Sequence, residues 1–395
     1  EGVGRDVDDS VTRNALVTDD GAHDIIVNPR MIPGSLRNIV ELMRFTNEYN
    51  NRRTRDRLED EEGLEEERQL ENAQEELESL LWNEIPSILM PALPAEVTIQ
   101  EDDTAVGRYR YTGLYQCDLG DVRRAETTCG LQKAIKIVPK SSIYTGEQIE
   151  AVYREWRLLS DICDHPNIAR CTQLLNTEEN LYLILDDAGR QNLEQFCASQ
   201  PGSHLSEVEA LACFAQIVDA LAYLHQQHIS HRCLSLHHVV VDQRQEGLHC
   251  TLIDFHFAVR AQPNTRSNII CGKLPCMAPE MAVLPLKGDF DQDYSPQLAD
   301  CWSAGVILLE MAGGLSSLYM AAYSTAEEDS LEDCALHIIA FFGSDGSEGA
   351  HEDALLSKCQ VSSPEVSRYL KQLLVWPPEN RTPMEEVLGT VSQNA

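Results

Sequence analysis

The chain has no run of eighteen consecutive apolar residues, although 43% of its 395 residues are apolar. A helix that crosses a bilayer needs about twenty predominantly apolar residues, so we predict no membrane span. The first residues are acidic and polar, and they lack the basic-then-apolar pattern of a secretory signal. Because the sequence starts at Glu1, this absence does not exclude a leader in a longer precursor.

Basic residues are scarce, since 31 Lys and Arg stand against 64 Asp and Glu, for a formal net charge of −33. Such a charge repels nucleic-acid phosphates and anionic lipid surfaces, so we predict neither as a partner. Residues 1–100 contain no lysine, ten arginines and 23 acidic residues, and therefore carry −13 of this charge. We expect this segment to favour protein partners with basic surfaces.

The thirteen cysteines include no C-x-x-C pair, and no histidine accompanies them at the spacing of a metal site. They fit buried, reduced thiols in an intracellular protein. They also fit a secreted protein with several disulfides and one thiol left over. We prefer the first interpretation and predict a cytoplasmic protein rather than a secreted one.

The composition predicts two regions. Residues 1–100 are expected to form an acidic, partly helical extension, with helices in 35–50 and 54–85, where Leu, Glu, Arg and Gln are frequent. The proline-rich stretch "IPSILMPALP" then acts as a linker. Beyond residue 105, short β-type runs surround one helical stretch, and the chain is mostly helical after residue 205. The pattern predicts an α+β fold with a small mixed lobe followed by a large helical lobe.

A series of short motifs follows in order after residue 105. Lys136 lies in "KAIKIV", Glu155 in "YREWRLL" and Asp254 in "LIDFHFA". The others are "HPNI" (165–168), "NLYLILDD" (180–187), "HRCLSLHHVVV" (231–241), "CGKLPCMAPEM" (271–281), "DCWSAGVILLEM" (300–311) and "PENRTP" (378–383). Each motif alone is weak, but the ordered set resembles a protein kinase domain over residues 105–392.

The resemblance implies a two-lobed kinase-like fold and a nucleotide site. Lys136 takes the place of the phosphate-binding lysine, and Glu155 takes the place of its partner on a helix. Asp254 stands where the family has an Mg²⁺ ligand. The residues that correspond to the family's adenine pocket are Val122, Ala134, Leu185 and Val240.

The sequence departs from the family where the chemistry is done. Cys233 replaces the aspartate that orients the acceptor hydroxyl, His238 replaces the second metal ligand, and His256 replaces the glycine after Asp-Phe. A thiol does not match that carboxylate in basicity, and imidazole is a poor ligand for Mg²⁺. Two of the three glycine-loop places hold Tyr115 and Cys117, and only Gly120 remains. We therefore predict no catalytic residue and no enzymatic activity.

The resulting hypothesis is a pseudokinase that serves as a protein-binding scaffold or allosteric regulator, with an active kinase or a basic protein surface as partner. Its cofactor is then none, or ATP with weakly held Mg²⁺ on Asp254. The alternative is a weakly active or atypical ATP-dependent transferase that uses Lys136 and Asp254. The ion pair of Lys136 with Glu155 fits either a phosphate-binding or a purely structural role, and we expect His238 to bond locally rather than to bind metal. The helical extension ahead of such a domain is also similar to secreted pseudokinases of apicomplexan parasites.

Overall fold

The computed structural model describes residues 93–99, 101–116, 121–143, 146–162, 164–282, 293–322, 340–341, 355–359 and 361–391. These residues belong to one compact unit, which spans Ala92–Ala395. The helices predicted within residues 35–85 lie outside the described residues, as do the glycine-loop places Cys117 and Gly120.

Seven of the described strands form an antiparallel sheet in the spatial order β1-β2-β3-β4-β5-β7-β6. Their bounds are β1 Glu101–Asp102, β2 Ala105–Val106, β3 Tyr109–Gln116, β4 Asp121–Thr127, β5 Gln132–Pro139, β6 Cys171–Asn176 and β7 Asn180–Asp186. Side chains alternate between the two faces of a strand. Ile135 therefore packs in the core of this sheet, with Tyr109 and Ile184, while Ala134 and Lys136 lie on the opposite face.

One helix, α1 (Gly146–Arg157), lies between β5 and β6 in the chain and is continued by a π-helical turn over Leu158–Ile162. Ile149, Val152 and Glu155 are buried at intervals of three residues, which places them on one face of the helix. The burial of Glu155 on an otherwise apolar face calls for a cationic partner, because an unpaired buried carboxylate is costly.

The second lobe is mainly helical. The bounds of its helices are α2 Leu193–Ser199, α3 Glu207–Gln226, α4 Pro279–Ala282, α5 Pro296–Gly313, α6 Ser317–Ala322, α7 Pro364–Leu373 and α8 Met384–Val391. Short strands pair beside them as the sheets β11-β10-β8 and β12-β9, with β8 Gln191–Asn192, β9 Ile229–Ser230, β10 Val239–Arg244, β11 Gly247–Leu252 and β12 Val259–Arg260. Fourteen of the eighteen residues of α5 are buried, so α5 forms the centre of this lobe.

The amino-terminal end of α3 shows how local sequence sets an element boundary. Ser206 Oγ accepts a hydrogen bond from the Glu209 N–H at 3.3 Å, and Glu209 Oε2 accepts one from the Ser206 N–H at 3.1 Å. This reciprocal pair satisfies two amide groups that the first helical turn leaves without partners. By length and composition alone α3 could cross a membrane, but 56% of its apolar window is buried inside the structure.

The predicted α+β class with two lobes is confirmed. The runs expected to form strands at 107–117, 131–138 and 180–187 become β3, β5 and β7, and the expected helices at 146–163 and 207–227 become α1 and α3. Four strands of the large sheet, β1, β2, β4 and β6, were not predicted. All ten described cysteines carry free thiols, and nine of them are buried.

Candidate nucleotide site

Three charged side chains meet between the lobes. Lys136 Nζ, from β5, donates to Glu155 Oε2 at 2.7 Å and to Asp254 Oδ1 at 2.5 Å. Lys136 and Glu155 are each 2% exposed, and Asp254 is 7% exposed. Glu155 Oε1 also accepts a hydrogen bond from the backbone N–H of Phe255 at 3.1 Å. The cluster therefore joins the sheet, α1 and the segment that follows β11.

Asp254 occupies a strained backbone position, with φ of +66°, which a residue other than glycine rarely adopts. Its Oδ1 also accepts a hydrogen bond from His256 Nδ1 at 2.8 Å, whereas its buried Oδ2 accepts none. Burial by itself would raise the pKa of Asp254, but Lys136 and His256 hold that pKa well below its ordinary value. The site thus keeps an ionised carboxylate with one oxygen available to a ligand.

The loop before β10 is held in place by α5. Asp300, on α5 and fully buried, accepts hydrogen bonds from the N–H groups of His231 at 2.8 Å and Arg232 at 2.7 Å. Arg232 has a φ of +64°, so this carboxylate stabilises a turn that the chain would otherwise avoid. The ring of His231 packs 4.7 Å from that of Phe255. Burial lowers the pKa of His231 to about 4, so its ring is neutral.

The same loop contains Cys233 and His238, two residues that depart from the family pattern, and it places His238 beside Asp254. Cys233 is 4% exposed, and its carbonyl oxygen accepts a hydrogen bond from His238 Nδ1. The other ring nitrogen of His238, Nε2, lies 3.5 Å from Asp254 Oδ2. With His256 on Oδ1, two imidazole rings flank one carboxylate group. The expectation of a local bond for His238 agrees with its bond to Cys233.

The apolar residues that the resemblance assigns to an adenine pocket lie where a ring could be held. Ala134 faces Leu185 across β5 and β7, and Val122 faces Lys136 across β4 and β5. Residues directly opposite in a sheet point to the same face, so these side chains share the face of Lys136. Val240 comes from β10 in the other lobe. All four apolar residues are half-buried and leave apolar surface open to a ligand.

The described residues fit a nucleotide, with a buried lysine for phosphates and an apolar wall for a base. They fit a divalent cation only in part. No group of three or more His, Cys, Asp and Glu residues that could hold a metal occurs in the described part of the chain. Asp254 Oδ2 can supply one oxygen, and phosphate oxygens and water would have to complete the coordination of a cation such as Mg²⁺.

Some contacts of this site were not predicted from the sequence. Asp186, the last residue of β7, forms an ion pair with Lys133, and Asp187, the next residue, forms one with Arg124. The pair of Lys133 with Asp186 follows from strand register, because the two residues are direct partners across β5 and β7. The approach of His238 and His256 to Asp254 has no such signal, since it depends on the left-handed backbone at Asp254.

Comparison with known proteins gives consistent matches. The family model described as "Protein kinase domain" matches residues 116–391. The serine/threonine-protein kinase SIK1 of Mus musculus is 33% identical over 183 residues, which are 46% of this chain and 22% of that protein. The SNF-related serine/threonine-protein kinase of Homo sapiens is 34% identical over 189 residues, 47% of this chain and 23% of that protein. The chain thus spans less than a quarter of the length of these two relatives.

These matches overturn one prediction. From the sequence we predicted no enzymatic activity, but the similar proteins are named as serine/threonine-protein kinases, which are enzymes. The reason for the error is physical. The prediction rested mainly on the aspartate lost at Cys233, whereas phosphoryl transfer depends chiefly on positioning and on electrostatic stabilisation of the phosphates. The groups that serve those purposes, Lys136, Glu155 and Asp254, lie together in the structure.

Proposed function

Because the chain belongs to the protein kinase domain family, we propose that it is an atypical ATP-dependent transferase that moves a phosphoryl group onto a hydroxyl group. The observation that carries this proposal is the buried cluster in which Lys136 contacts both Glu155 and Asp254. Two carboxylates from different lobes place one ammonium group at the phosphate position. Such placement is the main protein contribution to phosphoryl transfer.

Each residue of the cluster has a separate task. ATP, bound with a divalent cation, supplies the phosphoryl group. Lys136 binds the α and β phosphates, and Glu155 holds the Lys136 side chain at the correct position. Asp254 offers the ionised Oδ2 to the cation. The apolar wall formed by Val122, Ala134, Leu185 and Val240 holds the adenine ring.

The acceptor is oriented without a carboxylate at residue 233. A positioned general base contributes roughly 10²–10⁴-fold to a rate, so its replacement by Cys233 slows the reaction without removing the electrostatic part. We infer a slow transferase. The names of the similar proteins support serine or threonine hydroxyl groups as acceptors.

The test compares two lysines on one strand. Transfer of the ³²P-labelled γ-phosphate of ATP to the chain itself and to a mixed serine/threonine peptide library is measured for the wild type and for Lys136→Met and Lys133→Met. Lys133 contacts Asp186 rather than the cluster, so its variant controls for loss of a β5 lysine. We expect Lys136→Met to lose about 100-fold or more in rate and Lys133→Met to keep most of it. Equal rates for wild type and Lys136→Met, or no transfer by the wild type, would refute the proposal.

A binding role complements this activity. We propose that residues 1–100, with their charge of −13, guide the chain to a basic surface on a protein partner, for which an active kinase is one candidate. The charge supports this role through electrostatic steering of association. The cytoplasmic location and the similarity to secreted parasite proteins stay predictions.

A further inference from the structure

We propose that a cavity on the outer face of the seven-stranded sheet binds an arginine side chain of a protein partner. The inference rests on the proposed binding role and deepens it, because it gives a basic partner a defined contact on the kinase domain itself. It is independent of the proposed transferase activity, since the cavity lies on the face of the sheet opposite Lys136.

Strand register fixes the position of the cavity. Ile137 faces Tyr182 across β5 and β7, and Arg123 faces Ile135 across β4 and β5. Direct partners in a sheet point to the same face, so these side chains share the face of Ile135 and not that of Lys136. The cavity has a volume of about 440 Å³, which is within the range of ligand-binding pockets.

The rim of the cavity is strongly acidic. Four of its lining residues carry carboxylates, and Arg123 is its single cationic side chain; the four are Asp102, Asp103, Asp121 and Glu179. All four are exposed, and the last three form no ion pair within the described part of the chain. Such an excess of negative charge at a concave surface raises the local concentration of cations.

Arg123 does not neutralise this rim. Its guanidinium group lies 4.6 Å from the centre of the Tyr111 ring, and its Nη1 donates to the backbone carbonyl oxygen of Asp103 at 3.2 Å. The contact with Tyr111 also shows that a guanidinium group fits against the aromatic lining, as is common for arginine. The rim carboxylates therefore remain available to a second cation.

The lining favours an arginine side chain over other cations. No group of three or more carboxylates, histidines or cysteines in the described part of the chain could hold a metal ion, so the rim carboxylates do not converge on one point. Tyr111 and Ile137 are half-buried and give the cavity an apolar floor. Arginine combines an apolar stem with a planar group that pairs with carboxylates through two hydrogen bonds.

The test measures binding of a peptide to the full chain by fluorescence anisotropy in about 50 mM salt, where surface charges are only partly screened. The probe is a short, fluorescein-labelled glycine-serine peptide with two arginines, and its control has citrulline, a neutral group of similar shape, in place of both. Wild type is compared with the double variant Asp121→Asn, Glu179→Gln. The matched control is Glu178→Gln, Glu246→Gln, which removes the same charge from exposed residues that do not line the cavity.

We expect the wild type to bind the arginine peptide about tenfold or more tightly than the citrulline peptide. The cavity variant should lose about fivefold or more in affinity for the arginine peptide, and the control variant should stay within about twofold. The midpoints of thermal unfolding should agree for all three proteins, since the changed side chains are exposed.

Two results would contradict the proposal. Equal losses in the two double variants would show that binding follows net charge alone, which would overturn the cavity and leave the steering by residues 1–100 intact. Equal binding of the arginine and citrulline peptides by the wild type would overturn both the cavity and the proposed role in binding a basic partner. Neither result bears on the transferase, which the phosphoryl-transfer assay tests separately.

Discussion

Among single residues, Cys233 lies where the site has kept the backbone conformation of the loop but has lost the carboxylate side chain of the family. The backbone around it is held by Asp300 through the N–H groups of His231 and Arg232, so the loop conformation does not depend on the side chain at 233. A carboxylate introduced there would occupy the family's position for orienting the acceptor hydroxyl.

We therefore expect Cys233→Asp to raise the rate of phosphoryl transfer by about 100-fold. The assay is γ-phosphate transfer at saturating ATP, which isolates the chemical step from nucleotide affinity. Cys233→Ser is the control, since it changes the side chain without supplying a carboxylate, and it should leave the rate near that of wild type. A Cys233→Asp variant that folds and binds ADP but transfers no faster would show that the acceptor is oriented by other groups.

Single residues also show which parts of the site could be predicted from the sequence and which could not. The order of the motifs was enough to bring Lys136, Glu155 and Asp254 together, because each motif belongs to a fixed place in a known fold. The position of His238 beside Asp254 could not be predicted, because it follows from a φ of +66° at Asp254 and from the bond of the ring to Cys233.

At the scale of elements, the periodicity of side chains was sufficient to predict a strand or a helix where one face of that element is apolar. In β5, Ile135 and Ile137 pack on the core face of the sheet, and α1 buries every third residue along one face. β4 reads "DVRRAET", with only two apolar side chains, Val122 and Ala125. It becomes a strand because β3 and β5 pair with it on both sides. The sequence of β4 by itself does not indicate this pairing.

Helix α5 contains a buried carboxylate near its end. Glu310 is 7% exposed, and burial raises its pKa from the ordinary 4.5 to about 7, with a further contribution from Glu194. A negative charge close to the carboxyl end of a helix is also unfavourable for the helix dipole. The folded chain therefore binds a proton at Glu310 that the unfolded chain releases at lower pH.

This difference in pKa gives α5 a predictable pH dependence. Between about pH 4.5 and pH 7 the folded state binds more protons at Glu310, so the free energy of unfolding falls as pH rises across this interval. The fall amounts to about 3 kcal/mol, at about 1.4 kcal/mol for each unit of pKa difference. Glu310→Gln, which has no proton to lose, should lack this contribution.

Urea unfolding of wild type and Glu310→Gln at several pH values from 4.5 to 8 measures the contribution as a difference. Subtracting the two curves removes the effects of all other titrating groups that the variants share. Parallel curves would mean that Glu310 titrates alike in the folded and unfolded chains.

At the scale of the whole molecule, one ion pair links parts of the large lobe that are far apart in sequence. Arg381 donates to both carboxylate oxygens of Glu280, at 2.5 and 2.8 Å, across 101 residues of chain. Its guanidinium group also donates to the carbonyl oxygens of Leu298 and Val375, and it lies 5.0 Å from the centre of the Trp302 ring. The pair thus connects α4, α5 and the segment before α8.

We expect Arg381→Ala to lower the free energy of unfolding by about 3–5 kcal/mol, because it leaves the buried Glu280 without its cation. Urea or thermal unfolding measures the loss. Arg368→Ala is the matched control, since Arg368 is paired with Glu365 at the surface and should cost about 1 kcal/mol or less. Similar losses for the two variants would show that the Arg381 pair does not hold the lobe together.

The exposed and buried thiols allow the opening of the folded chain to be followed by the rate of thiol labelling. Among the ten described cysteines only Cys129 is exposed, and the hydroxyl group of Thr127 lowers its pKa, which favours the reactive thiolate. Burial raises the pKa of Cys171 and of Cys197 to about 12, so these thiols are inert to alkylating reagents while the fold is closed. Cys171 lies on β6 in the small lobe and Cys197 on α2 in the large lobe, so the rates at which they become labelled time the opening of each lobe separately.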